Sequence, residues 1–438
     1  MWGRQAPEEN NNTFLLRVSV SSVVKFFAEQ TFRADMKMEF TIAPGGITAP
    51  HGFQAAGVAA GIKNEKRDMA LLVSDTPAVI AGMFTTNRVQ AAPVQLCRER
   101  LAARQARAII VNSSNANACT GTDGMRAARR MTQLTADLLQ LEEPTVFVCS
   151  TGTIGQPLPM DKIEAGIRLA VTSLAPTGGA DAATAIMTTD TKPKQVAAEV
   201  EIDGKLVTLG GMAKGAGMIH PNMATLLVFL TTDAAVEAQA LQDCLTTAVD
   251  RSFNRISVDG DMSTNDTTLL LANGTARNAP LDRRHPRWKA FCAAVNALTG
   301  ELARQIVKDG EGATKLVTVT VRNAPGKRSA EKVARAVANS LLVKTSWFGA
   351  DPNWGRVICA VGYAGAPVNP DRIDIAYNGQ FAVRGGQPVG LAPEILHAII
   401  TKPEFGIEID LHLGRSTYSM TTCDCSEEYV RINASYMT

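Results

Sequence analysis

The chain has 438 residues, 45% of them hydrophobic, enough to bury a sizeable core and, by length alone, to form two or three structural units. Its 44 Lys plus Arg against 42 Asp plus Glu give a net charge of +2 without long single-sign runs, so no electrostatic footprint for nucleic acid or an anionic membrane stands out. The expected partners are small molecules. Eight cysteines are scattered without a CxxC ligand pattern or the density of a small secreted framework, and read as reduced thiols of a cytoplasm-like compartment.

Residues 1–37 differ in character from the rest of the chain. A polar Pro/Asn start leads into an amphipathic run through Val18, Val20, Val23, Val24, Phe26 and Phe27. Glu8, Glu9, Glu29 and Asp35 argue against a transit peptide, so an N-terminal extension or an upstream start site, ahead of Met36 and Met38, is the simpler reading. No apolar stretch reaches the roughly 18 residues of a membrane span; the nearest candidates are broken by Lys25 or by Thr231, Thr232 and Asp233.

From Gly45 onward the sequence is rich in Gly and Ala. Strand-like runs are expected at Ala70–Val73, Ala108–Val111, Thr145–Cys149 and Leu226–Leu230, and helices at Met125–Leu139, Leu241–Ala248 and Arg287–Val307. The alternation is irregular, with no repeat and no Gly/Ser or Pro-rich linker in the middle, which predicts a mixed α/β protein of one compact body or two interlocked lobes.

Common catalytic signatures fail on inspection. Gly204-Lys205 and Gly326-Lys327 lack the upstream Gly and the hydroxyl of a Walker loop, and Gly215 and Gly217 are followed by His220 where a GxGxxG would need glycine. No GxSxG is present, and the histidines at 51, 220, 285, 397 and 412 form no ligand pair, so no metal site is expected. Asp259, Asp261 and Asp266 lack the spacing and closing Glu of a calcium loop and read as turn-capping carboxylates.

The most informative segment is Gly210–Asp233, GGMAKGAGMIHPNMATLLVFLTTD, a Gly-rich loop with one lysine that runs through Pro221 and Asn222 into an apolar strand with Thr225 at its start. A threonine hydroxyl is a weak nucleophile, but a threonine freed as a chain terminus carries its own α-amine, of pKa about 7.7–8.0, as a general base. The plain alternative is a β-branched residue opening a strand. STGTIG, Ser150–Gly155, fits either an oxyanion-stabilising element or a turn after the preceding strand. NSSNANACTG, Asn112–Gly121, is too rich in small polar residues for a helix or strand core and reads as a turn network or a pocket wall.

KGAGMIHPNMAT, Lys214–Thr225, resembles the signature of the ornithine acetyltransferase (ArgJ) family of arginine biosynthesis. Further blocks similar to that family recur in order: VNSSNANACTG, STGTIG, MTTDTKPK, SFNRISVDGDMSTNDT, DGEGATK, LVKTSWFGADPNWGR and YVRINASYMT, together spanning about Glu39 to Thr438. The resemblance implies a layered α/β sheet-helix fold of the type found in DmpA-like aminopeptidases. It implies a precursor that cuts itself between Ala224 and Thr225, giving an α chain (38–224) and a β chain (225–438) that stay associated as an α2β2 heterotetramer.

Thr225 would be the nucleophile, Thr151 and Gly152 would stabilise the oxyanion, and Thr188, Lys214, Thr225, Glu311, Asn433 and Thr438 would contact substrate. The activity implied is glutamate N-acetyltransfer in the cytoplasm: acetyl passes from N2-acetylornithine to glutamate through acetyl-Thr225, with no cofactor and with acetyl-CoA as a further donor in bifunctional members. The alternative is a self-processing amidase or aminopeptidase. On residue chemistry, Lys214 suits a substrate carboxylate, Glu311 an ammonium and Asn433 an amide or carboxylate, whereas the plain reading makes Lys214 and Glu311 solvated loop charges. Departures from the usual family pattern are Ser114 in place of a frequent glycine, and Ser435 and Met437 where Asp and Arg are usual.

Overall fold

Sixteen strands form two sheets in a computed structural model that describes residues 40–220 and 226–435. The expectations placed on residues 1–37, Ala224, Thr225, Met437 and Thr438 lie outside the described residues. In chain order the strands are β1 (Phe40–Ala43), β2 (Phe53–Val58), β3 (Met69–Phe84), β4 (Gln105–Asn115), β5 (Val146–Thr153), β6 (Lys194–Ile202), β7 (Lys205–Lys214), β8 (Leu227–Thr232), β9 (Ile256–Ser257) and β10 (Thr267–Ala272). They continue as β11 (Leu316–Ala324), β12 (Asp374–Tyr377), β13 (Gln380–Arg384), β14 (Gln387–Pro388), β15 (Glu404–Asp410) and β16 (Ser416–Cys423).

The larger sheet has nine strands in the order β1-β6-β7-β8-β10-β3-β4-β5, with β2 paired to β3. At its centre, β8 (LVFLTT) and β10 (TTLLLA) run parallel and are buried at every position, as expected for strands covered on both faces. β8 pairs antiparallel with β7 from Leu209↔Thr232 to Lys214↔Leu227, and β10 pairs antiparallel with β3 from Thr267↔Phe84 to Ala272↔Val79. Strands late in the sequence are thus inserted between strands that precede them.

One face of this sheet packs against helices Ala92–Leu101, Gly121–Leu139, Met160–Thr172 and Gly179–Ala185. Helices Ala238–Arg251 and Trp288–Lys308 cover the other face, and the second also touches β9 and β16 of the seven-stranded sheet, ordered β14-β13-β12-β15-β11-β16-β9. That sheet packs its outer face on helices Lys327–Ala338, Leu341–Phe348, Trp354–Gly362 and Pro393–Ile400. The result is a layered α/β sheet-helix sandwich in which all described residues belong to one unit, Glu39–Thr438. Among the described residues no helix is long and apolar enough to cross a membrane.

The expected helices are present, two with longer bounds, Gly121–Leu139 and Ala238–Arg251, and the third shifted by one residue, Trp288–Lys308. Two local expectations are corrected. Asn112–Asn115 is strand interior, because its polar side chains are satisfied within the fold: Asn112 Nδ2 donates to Asn115 O at 2.9 Å, Ser113 Oγ to Ala185 O at 2.6 Å, and Ser150 Oγ to Asn112 Oδ1 at 2.6 Å. Thr151–Thr153 likewise continues β5 rather than turning, held by β4 in a parallel pairing whose register shifts at Ser114 and Asn115.

Phe229, fully buried at the middle of β8, is where loss of packing should be felt by both central pairings. Phe229→Ala is expected to lower the unfolding free energy by about 3–5 kcal/mol, read from the shift of a urea or thermal transition against the parent chain.

Candidate active site

The C-terminal end of β7, the C-terminal end of β5 and three loops converge on one cavity of about 330 Å³. Six of the oxyanion and substrate residues implied by the resemblance line it: Thr151 and Gly152 from β5, Thr188 from the loop after helix Gly179–Ala185, Lys214 from the last position of β7, Glu311 from the loop after helix Trp288–Lys308, and Asn433 from helix Glu427–Ser435. Residues separated by up to 282 positions in sequence (433 − 151) are therefore walls of the same space.

The solvated-charge reading of Lys214 and Glu311 does not hold. Lys214 is 3% exposed and Glu311 9% exposed. Burial pushes the Lys214 amine below the ordinary lysine range; Asp190 opposes this, Lys194 adds to it, and Asp266 and Glu311 oppose it further. Its ammonium lines the pocket with no salt-bridge partner among the described residues, so an entering carboxylate would meet a desolvated cation. Glu311 is fixed through its backbone, with Glu311 N donating to Ala216 O at 2.9 Å, and through Asn433 Nδ2, which donates to Glu311 Oε2 at 2.8 Å. A Cβ on Gly217 would stand 2.4 Å from the Glu311 carboxyl group, so the glycine lets the acid lie against the backbone of the KGAG loop.

Behind this wall lies a set of charges that the sequence reading did not isolate. Lys194 Nζ donates to Asp190 Oδ1 at 2.7 Å and to Asp309 Oδ2 at 2.6 Å, with the Lys194 and Asp190 side chains 2% and 0% exposed. Asp190 also accepts Gly215 N–H at 2.7 Å and Thr188 N–H at 3.0 Å. Burial resists ionisation of Asp190, but Lys214, Lys194 and these hydrogen bonds outweigh it and hold the carboxyl far below the usual carboxylate range. Asp309 accepts Thr191 N–H at 3.0 Å. The available signal was the presence of Asp190 and Lys194 inside MTTDTKPK and of Asp309 two positions before Glu311.

Asp259 and Asp266 act as the expected turn and loop caps, on either side of residues 220–225. Asp259 accepts Met218 N–H at 2.6 Å, Ile219 N–H at 2.9 Å and Asp261 N–H at 3.1 Å, and Asp266 Oδ1 accepts Leu226 N–H at 2.8 Å. Asp259 and Asp261 also line the cavity, as does Tyr429, one helical turn before Asn433. Burial raises the Asp259 carboxyl, backbone donors oppose this, and the like charges of Asp261 and Glu311 add to it. The cavity therefore has a cationic wall at Lys214 and an acidic one at Asp259, Asp261 and Glu311. Cys119 is exposed and is not among the lining residues, and among the described residues no group of three His, Cys, Asp or Glu side chains could hold a metal ion.

Ser114 explains why glycine suits its position. Its φ is +83°, a conformation costly for a side chain, and β4 and β5 approach so closely beside it that a Cβ on Gly152 would lie 2.1 Å from the Ser114 carbonyl carbon. Ser114→Gly should raise the unfolding free energy by roughly 1 kcal/mol, measured by denaturant unfolding; an unchanged or lower value would mean that the site carries no releasable strain.

The ArgJ family model matches residues 54–438. The arginine biosynthesis bifunctional protein ArgJ of Symbiobacterium thermophilum is 51% identical over 397 residues, covering 90% of this chain and 99% of that protein. The protein of the same name from Oceanobacillus iheyensis is 47% identical over 399 residues, covering 90% and 97%. Among solved structures, the arginine biosynthesis bifunctional protein of Bacillus halodurans is 43% identical, covers 48% of this chain and 98% of its own, and superposes with a TM-score of 0.46.

Proposed function

Because the chain belongs to the ArgJ family, we propose that it is a glutamate N-acetyltransferase which moves acetyl groups from N2-acetylornithine to glutamate in arginine biosynthesis. The observation that carries this reading is the convergence of Thr151, Gly152, Thr188, Lys214, Glu311 and Asn433 on one cavity lined by both a cationic residue and acidic ones. Such a cavity suits a molecule bearing both a carboxylate and an ammonium group, as acetylornithine does.

In this reading the Thr225 hydroxyl first attacks the Ala224 carbonyl, shifting the acyl group from nitrogen to oxygen. Water then opens the ester, leaving Ala224 as a carboxylate and Thr225 with a free α-amine. In the transfer cycle that amine takes the hydroxyl proton as Oγ attacks the acetyl carbonyl, Thr151 and Gly152 stabilise the oxyanion, and ornithine departs with the proton. The glutamate amine then attacks the acetyl ester and regenerates the hydroxyl. None of these steps calls for a cofactor, and acetyl-CoA is a second acetyl donor under the same scheme.

The order of strands supports lasting association of the two halves. Cleavage between 224 and 225 would leave β8 and β10 of the β chain (225–438) between β7 and β3 of the α chain (38–224), hydrogen-bonded on both sides. We read the assembly as α2β2 and its location as cytoplasmic, in keeping with eight free cysteines.

Transfer is tested by supplying N2-acetylornithine with and without glutamate and following ornithine and N-acetylglutamate separately. Ornithine release that requires glutamate and matches N-acetylglutamate formation is expected; release that ignores glutamate would identify an amidase. Lys214→Met should raise KM for acetylornithine about 10- to 150-fold, the worth of one hydrogen bond to a charged group. In the parent enzyme that KM should climb on the alkaline side at a pH below that of an ordinary lysine, because the lowered Lys214 amine gives up its proton early.

A further inference from the structure

We propose that Asp190 is a positioning residue for substrate recognition, and that with Lys194 it sets both the placement and the charge of the cationic wall of the pocket. This rests on the acetyltransferase reading of the site and extends it to two residues that do not line the cavity.

The geometry is economical. One buried carboxylate accepts the N–H of Thr188, a pocket wall, and the N–H of Gly215, the residue next to Lys214. Lys194, at the start of β6, joins that carboxylate to Asp309, which caps Thr191 and stands two residues before Glu311. Three substrate-facing residues from three separate segments are thus referred to a single ion triad. Moving Asp190 would move Thr188 and Lys214 together.

The triad is also electrical. The charged groups facing the Lys214 amine are Asp190, Lys194, Asp266 and Glu311, with Lys63 approaching from the loop between β2 and β3. Lys63 donates to Met187 O, beside Thr188. Asp190 favours a protonated Lys214, whereas Lys194 and Lys63 disfavour it. Removing the negative member and removing the positive member of the same ion pair should therefore have opposite consequences for one observable, although either substitution breaks the pair. A purely structural role predicts changes of the same sign.

The experiment is the pH dependence of KM for N2-acetylornithine in purified cleaved enzyme, for the parent, Asp190→Asn and Lys194→Met. Asp190→Asn is expected to move the alkaline rise of KM to lower pH and Lys194→Met to move it to higher pH, each by about one unit, a tenfold difference in KM within the titrating range. The displacement is read in KM, with kcat followed in parallel across the same pH range so that the two can be separated. If Asp190→Asn does not yield folded protein, the upward displacement in Lys194→Met carries the test alone. Unmoved limbs, or limbs moving in the same direction, would overturn the proposal. A parent enzyme that forms no N-acetylglutamate would instead overturn the functional reading on which it rests.

Discussion

Asp190 is the constraint on which the pocket depends. Its carboxylate is withdrawn from solvent, and the only way a fold tolerates such a charge is to surround it with donors, here an ammonium and two backbone N–H groups. The two backbone donors come from the segments that carry Thr188 and Lys214, so satisfying the charge and shaping the site are one event. The same logic continues through Lys194 to Asp309 and the Glu311 loop. Breaking a buried pair of this kind typically costs about 3–5 kcal/mol, a large fraction of the stability of an ordinary domain. The walls are consequently preorganised before substrate arrives, which spares binding energy for orientation.

The sheet provides the second constraint. β8 and β10, apolar throughout and covered on both faces, cross-link strands that come from the first half of the sequence. Leu226, which leads into β8, is held through its N–H by Asp266 and through its carbonyl by Thr267 N–H at 3.1 Å. Upstream, Asp259 holds Met218 and Ile219. The described residues on either side, Met218 and Ile219 before and Leu226 after, are therefore both held by the VDGDMSTND stretch.

Much of this was legible in the sequence. Apolar runs such as Ala108–Val111 and Leu226–Leu230, and helical stretches such as Arg287–Val307, indicated the α/β class by pattern, while ordered motif blocks pointed to the walls of the cavity residue by residue. Two kinds of information were hidden. Asn112–Ser113 looks too polar for a strand because its partners, Ser150 and Ala185, lie far along the chain and only tertiary structure supplies them. Lys214 and Glu311 look like surface charges because burial is a property of the surroundings, and Asp190 and Lys194 become conspicuous only once the loops that enclose them are folded together.

The central claim is that Thr225, freed by cleavage of its own peptide bond, carries the acetyl group. Intact mass and N-terminal sequencing of the purified protein, before and after brief exposure to N2-acetylornithine without glutamate, test it most directly, with Thr225→Ala alongside. Two fragments are predicted for the parent, one of them beginning at Thr225 and gaining a single acetyl group on exposure to donor, and one uncut, unlabelled chain for the variant. A parent chain that remains whole yet transfers acetyl groups, or a variant that is still cut and labelled, would contradict that claim.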